Sequence, residues 1–232
     1  MDAIRGGMAE LRGDDARHLT RVLRASPGRQ YEISDNQTAY LAEIVEVHGD
    51  RVLLCVLEPV PTPATPLGIT LCAALIKFDR FEWMVEKCTE LGVERIVPVE
   101  TARSEKGLRE ASRKRGVRWA RIAREASEQA RRVHAPEILP TVPFEAGVAE
   151  EADWRYFLEE TTAPPLWRVL PGARTASSRA AVLVGPEGGW TDEERGAAAA
   201  AGWLPVSLAP HILRAETAAA AAVAILMNAW MV

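Results

Sequence analysis

The sequence predicts an α/β protein: a C-terminal domain built on a mostly parallel sheet, preceded by a small N-terminal β-barrel. Three observations carry this. From Leu67 onward, short apolar runs alternate with helical patterns, as strand–helix–strand units do. Two of those runs, near the C-terminus, pass directly into Gly/Pro-rich loops and then into helix starts. Before residue 67 lie short alternating runs separated by turn signals, and a proline-rich stretch separates the two patterns.

The N-terminal runs are Gln30–Ile33, Thr38–Val47 and Arg51–Leu57. Ser34-Asp35-Asn36 and His48-Gly49-Asp50 are the turn signals between them. A barrel of about 60 residues is marginal for independent stability. His18, Arg21 and Arg24 are spaced for one helix face, which suits phosphate contact or plain exposure. Four prolines between Pro59 and Pro66 mark Glu58–Pro66 as an extended linker. The expected domains are therefore 1–66 and 67–232.

In the second domain Leu67–Leu75 reads as a strand. Phe78–Leu91 reads as a helix, with Phe81, Met84 or Val85, Cys88 and Leu91 on one face and Gly92 as its stop. Arg95–Val99 is the next strand and Val117–Arg132 a basic helix. Arg155–Glu159, Ala181–Val184 and Leu204–Leu208 complete the strands. The apolar tail Ala218–Val232 is fifteen residues long and holds Asn228. It falls short of the roughly 20 residues of a membrane span, so a buried or interface helix is expected. Trp190 and Trp230 are expected in a core or interface, and His48 and His134 at the surface.

Composition is that of an ordinary soluble protein, with a net charge of −4. The first residues carry Asp2, Arg5 and Glu10 without an apolar core, so no signal peptide is read. Cys55, Cys72 and Cys88 form no metal pattern, and their odd number argues against a disulfide framework. A reducing cytoplasm fits. Net negative charge argues against a nucleic-acid partner, but the distribution matters more. Arg103–Arg132 holds eleven basic against four acidic side chains. One compact basic segment on an acidic protein suits a phosphate-backbone footprint, and a solvated helix face is the alternative.

The most informative stretch is Val182-Leu183-Val184 followed by Gly185-Pro186-Glu187-Gly188-Gly189. The apolar run reads as a buried parallel strand, and its glycines allow a tight turn and close approach to a ligand. Thr191 with Glu194 forms a capping box, so a helix begins there. Leu208-Ala209-Pro210-His211-Ile212-Leu213-Arg214-Ala215-Glu216-Thr217 repeats the grammar and ends before an Ala-rich helix. Two such corners suit a ligand site at the carboxyl ends of parallel strands. No G-x-G-x-x-G is present and no Lys-Ser/Thr follows the glycines, which disfavours a nicotinamide cofactor or a nucleoside triphosphate.

Gly185–Gly189 followed by Ile212–Ala218 resembles the two C-terminal motifs of the SPOUT methyltransferases. More narrowly, the chain resembles the bacterial family of uracil-N3 methyltransferases acting on small-subunit ribosomal RNA. Lys77–Trp83, Lys87–Val93, Ile96-Val97-Pro98, Arg103-Ser104 and Glu125–Arg132 agree with that family, as does His18–Arg24 near the N-terminus. The resemblance spans nearly the whole chain, with its motifs in order. It implies a PUA-like RNA-binding barrel, a trefoil-knotted methyltransferase domain, S-adenosylmethionine as cofactor and a homodimer. No metal and no membrane are implied.

Carried over residue by residue, it implies cofactor contacts at Glu160, Thr161, Gly185, Pro186, Glu187, Gly188, Gly189, Leu208, Ile212, Leu213, Thr217 and Ala218. Uracil N3 must lose a proton before it can attack. Arg214 is the candidate cation for the resulting imidate and Glu216 the candidate proton acceptor, with an ion pair between the two as the alternative. RNA contacts are expected from His18, Arg21, Arg24, Arg103, Arg124, Arg131 and Arg132. Glu125 and Gln129 are expected to bridge subunits or line the pocket. Two departures stand out. Ala209-Pro210-His211 replaces the family's Gly-x-Arg, exchanging a flexible residue and a permanent cation. The residues from Met1 to Leu11 lack the usual Arg/Phe-rich first strand. Alternative readings are the same chemistry on another RNA, such as tRNA, or a non-catalytic RNA-binding assembly factor.

Overall fold

The computed structural model of the protein describes residues 4–22, 24–62 and 65–231. They fall into two compact units, Met1–Pro63 and Ala64–Val232. No described helix is long and apolar enough to cross a membrane.

The first unit contains β1 (Ile4–Arg5), β2 (Met8–Arg12), β3 (Gln30–Ser34), β4 (Ala39–His48) and β5 (Arg51–Val60). They form one antiparallel sheet in the order β1-β2-β5-β4-β3. Alternate residues in the middle of β4 and at the start of β5, including Ala42, Ile44, Val52 and Leu54, point into a small core. Two register shifts, at Leu41/Ala42 and at Ile44/Glu46, interrupt the ladder between these strands, as bulges that bend a strand do. A short helix, α1 (Gly13–Arg17), runs into a π-helical turn over His18–Val22.

Two expectations need correction here. Arg24 lies outside the helical turn at φ 49°, so His18, Arg21 and Arg24 do not share one helix face. The expected linker also begins late, because Pro59 and Val60 belong to β5 and pair with Tyr40 and Ala39. β2 stops pairing with β5 at Cys55, and after Val56, whose N–H donates to Gly7 O, β5 has an open side. Proline is tolerated on such an edge.

The second unit contains, in chain order, β6 (Gly68–Ala74), α2 (Phe78–Glu90), β7 (Arg95–Glu100), α3 (Leu108–Ser112), α4 (Gly116–Gln129), β8 (Glu137–Ile138), β9 (Val142–Pro143) and α5 (Phe144–Val148). It continues with β10 (Trp154–Leu158), β11 (Arg179–Val184), α6 (Asp192–Ala200), β12 (Leu204–Val206) and α7 (Ala215–Trp230). The sheet is parallel, in the order β12-β10-β11-β6-β7-β8, with β9 also on β7. Both faces are covered. Ile69, Leu71, Tyr156 and Val182 pack with residues of α2, α4 and α7. Cys72, Val97, Phe157 and Leu183 pack on the other face with α5, Trp190 and α6. That is why these strands read as continuous apolar runs.

Helix ends explain the differences from the expected bounds. At Gly92 and Gly202 the chain adopts φ +105° and +81°, and Val93 and Trp203 donate back to Cys88 and Ala198 carbonyls. At the end of α4 the same left-handed turn falls on Arg131, φ +53°, and Arg132 N–H donates to Ser127 O. The basic helix therefore stops at Gln129 rather than Arg132. Helix α7 starts at Ala215 with Arg214 as its N-cap, so Thr217 lies inside its first turn. Strand β12 ends at Val206, because Ser207 bridges to Pro165 instead.

Candidate functional site

A cavity of about 690 Å³ opens at the carboxyl ends of β10, β11 and β12. Its wall is built from three loops: residues 158–163 after β10, 184–187 with Gly189 and Trp190 after β11, and 206–215 leading into α7. Ala218 and Arg80, from the first turn of α2, close it. Strand β12 lies outside β10 while β11 lies inside it, so the chain reverses direction across the sheet at this point. Clefts in parallel sheets form at such reversals.

The β11 loop takes its shape from Trp190. The indole is buried, stacks on Phe157 with centroids 4.6 Å apart, and donates Nε1–H to Leu158 O at 2.9 Å. Gly185 lies against the indole, where an added Cβ would come within 2.8 Å of it. Gly189 accepts a φ of +70°, and a Cβ there would strike the Glu160 carboxylate. Gly189 N–H closes the turn onto Pro186 O at 2.9 Å. The helix that follows starts with the expected capping box: Glu194 N–H donates to Thr191 Oγ1, and Thr191 N–H to Glu194 Oε2.

Several charged groups tie the loops down. Arg80 pairs with Glu187. Arg195 on α6 grips Glu159 with Nε at 2.7 Å from Oε2. Burial pushes the Glu159 carboxyl up, but the bonds from Arg195 and from the Thr161 and Glu160 amides outweigh it and hold it below the usual carboxylate range. Behind the wall, Ala102 N–H donates to Glu194 Oε1 at 2.8 Å, and Arg103 Nη1 donates to Gly188 O at 2.7 Å.

Of the expected cofactor residues, Glu160, Thr161, Gly185, Pro186, Glu187, Gly189, Leu208, Ile212, Leu213 and Ala218 line the cavity, and Arg214 joins them. Ala209, Pro210 and His211 do so too. Gly188 and Thr217 do not: Gly188 faces Arg103, and Thr217 is exposed on α7. Glu216 is also off the wall. It is buried, its Oε2 has no hydrogen-bond partner, and no ion pair joins it to Arg214 among the described residues.

The expected RNA residues divide. His18, Arg21, Arg24, Arg124 and Arg131 are exposed. Arg103 is exposed but engaged with the Gly188 carbonyl. Arg132 is half-buried and donates to the carbonyls of Thr89 and Val93, locking the end of α4 onto the end of α2. That is a structural position. Glu125 and Gln129 are exposed on α4 and do not reach the cavity.

Sequence reasoning missed Arg80 and Arg195. Arg80 falls in the Lys77–Trp83 stretch, so that segment held the signal. Nothing local marks Arg195, because its partner is 36 residues away.

Residues 63–227 match the model of an RNA methyltransferase domain, and residues 11–57 match that of an RNA methyltransferase PUA domain. The chain is 32% identical to ribosomal RNA small subunit methyltransferase E of Synechocystis over 89% of its own length and 68% of the relative's. It is 30% identical to the Aquifex aeolicus protein of the same name, covering 97% of this chain and 96% of that one. Among solved structures, ribosomal RNA small subunit methyltransferase E of Neisseria gonorrhoeae, bound to S-adenosylmethionine, superimposes with a TM-score of 0.88 at 30% identity. That match covers 99% of this chain and 96% of the other.

Proposed function

This chain belongs to the RNA methyltransferase family, within the group of small-subunit ribosomal RNA methyltransferases, and on that footing we propose that it methylates N3 of a uridine in small-subunit ribosomal RNA with S-adenosylmethionine as donor. The observation that carries the reading is the cavity made by three loops at the ends of β10, β11 and β12. Its volume lies within the roughly 300–1,000 Å³ of small-molecule sites. Leu158, Val184, Val206, Leu208 and Leu213 offer an apolar wall suited to adenine, while Glu160 offers an anion to a cationic ligand. Backbone groups of the glycine loop supply the remaining polar contacts. These residues fit S-adenosylmethionine, which supplies an electrophilic methyl group when bound.

The chain's own residues do the rest. Arg214, exposed on the cavity wall, presents a permanent cation to the uracil oxygens, so that loss of the N3 proton leaves a stabilised anion. Glu216 is the proposed proton acceptor, and because it lies off the wall it takes the proton through a bridging water rather than by direct contact. Its unpartnered, buried Oε2 is costly as it stands, and a donor brought to it would relieve that cost. Exposed Arg121, Arg124 and Arg131 on and beside α4 are proposed to meet the RNA backbone. Their weak surface pairs, such as Arg121 with Glu125 at 3.7 Å, are readily exchanged for phosphate. A homodimer, the trefoil knot and a cytoplasmic location are part of the proposal and rest on the family resemblance.

Calorimetric titration with S-adenosylmethionine tests the pocket. Micromolar binding that is lost in Gly189→Val is expected, since Gly189 rather than Gly188 is on the wall. No binding, with or without RNA, would sink the reading. Nucleoside analysis of methylated RNA then tests the substrate: a methyl group at another atom, or on tRNA alone, would overturn the uridine-N3 assignment while sparing the pocket.

A further inference from the structure

One guanidinium joins the ends of β10 and β11. Arg195 lies in α6, off the cavity wall. Its Nε and Nη2 hold the two oxygens of Glu159 at 2.7 and 3.3 Å. Its Nη1 donates to Trp190 O at 2.9 Å and to Asp192 Oδ1 at 3.2 Å. Glu159 is the deep partner, with a side chain only 6% exposed. Its Oε1 also accepts from the amides of Glu160 and Thr161, at 2.9 and 3.3 Å. A continuous path of hydrogen bonds thus runs from the glycine loop, through Arg195 and Glu159, to the backbone of the 158–163 loop. Both loops are cavity walls, and the second places the Glu160 carboxylate over Gly189.

An exposed ion pair with this geometry would contribute little. Here the carboxylate is buried, bidentate and hydrogen-bonded on both oxygens, so removing the guanidinium strands a charge beside the cavity. The loop amides lose their fixed acceptor with it. We propose that Arg195 is a positioning residue: it sets the Glu159–Thr161 loop against the Gly185–Trp190 loop and so pre-forms the cofactor pocket before a ligand arrives. The ligand in this proposal rests on the S-adenosylmethionine reading; the effect on the loops rests on geometry alone. A pre-formed site binds more tightly because less ordering accompanies binding. Since Arg195 touches no reacting group, its loss acts on cofactor affinity and not on the chemical step.

The full chain is compared with Arg195→Met, which keeps the apolar stem, and Arg195→Lys, which keeps a charge without the fork. Three readouts are taken: amide hydrogen exchange without cofactor, calorimetric affinity for S-adenosylmethionine, and steady-state methylation of RNA. In Arg195→Met the Glu160 and Thr161 amides are expected to exchange about tenfold faster. Cofactor Kd and KM are expected to rise about 10- to 100-fold with kcat within about twofold. Arg195→Lys falls between, and adding Glu159→Gln to Arg195→Met changes Kd by less than about twofold, because the two residues act as one unit. Unchanged exchange at Glu160 and Thr161, or a wild-type Kd in Arg195→Met, overturns the proposal. So does a fall in kcat at unchanged KM. Should Arg195→Met fail to fold, Arg195→Lys decides by the same readouts. If the wild-type protein binds no S-adenosylmethionine, the functional reading falls, and the exchange comparison still decides the role of Arg195.

Discussion

Gly185→Ala and Gly196→Ala add the same methyl group to the same unit and should move its stability in opposite directions. At Gly185 the new Cβ would stand 2.8 Å from indole Cε2, 3.0 Å from Nε1 and 3.2 Å from Cζ2 of Trp190. The indole is held in place. It is 2% exposed, stacked on Phe157, and bonded through Nε1 to Leu158 O. Gly185 has no left-handed φ, so the whole cost is steric. Overpacking of this kind costs about 1–3 kcal/mol. Displacing the indole also strains a buried hydrogen bond that contributes about 1 kcal/mol. A net loss of about 2–3 kcal/mol lowers Tm by about 5–10 °C for a unit of this size. Gly196 sits inside α6 with nothing within 4 Å of its would-be Cβ. There alanine only restricts the unfolded chain, which is expected to stabilise by about 0.4–1 kcal/mol and raise Tm by about 2 °C. Thermal unfolding followed by tryptophan near-UV circular dichroism reads both. A Gly185→Ala protein that melts within 2 °C of wild type would refute the view that Trp190 templates the glycine loop.

Two further outcomes are expected. Arg132→Met removes the donor to Thr89 O and Val93 O and should lower stability by about 1.5–3 kcal/mol in urea, with RNA affinity and its salt slope unchanged; a weakened RNA complex at unchanged stability would return Arg132 to the RNA-binding set. Burial pushes the Cys88 thiol up to about 12 and the Cys72 thiol higher still, so neither is a ready nucleophile at pH 8. Native protein should therefore react with a thiol reagent at half-buried Cys55 alone, releasing the other two on denaturation, and rapid labelling of all three in the native state would contradict the core assignment.

What could be read from the sequence was whatever is encoded locally. The apolar run Ala181–Val184, the capping box at Thr191 and Glu194, and the Gly92 stop each depend on residues a few positions apart, and each is found where its pattern placed it, the strand reaching two residues further back to Arg179. The errors come from distant partners. Pro59 belongs to a strand because β2 stops pairing at Cys55, which no window around Pro59 reveals. Arg131 takes the left-handed turn that glycine takes at Gly92 and Gly202, so the helix before it ends without its usual sign. Arg132 looked like its basic neighbours until the fold put two carbonyls of the α2 end in front of it.

The cavity divides along the same line. The glycine, proline and apolar part of its surface is close together in sequence and carries a motif. Its shape depends on Arg80 with Glu187, Arg195 with Glu159 and Arg103 with Gly188, pairs that meet only once the sheet has formed. The charged side chains on the wall, among them Arg80, Glu159, Glu160 and Glu187, fix its geometry only where each has a partner. Arg80 on the wall, and Arg103 and Arg195 off it, supply that constraint, each through directional bonds to a carboxylate or a carbonyl. It follows that substitutions of the cavity-facing glycines should act by filling space, whereas substitutions of the arginines should act by loosening loops. The two classes should separate in hydrogen exchange even where they weaken cofactor binding equally.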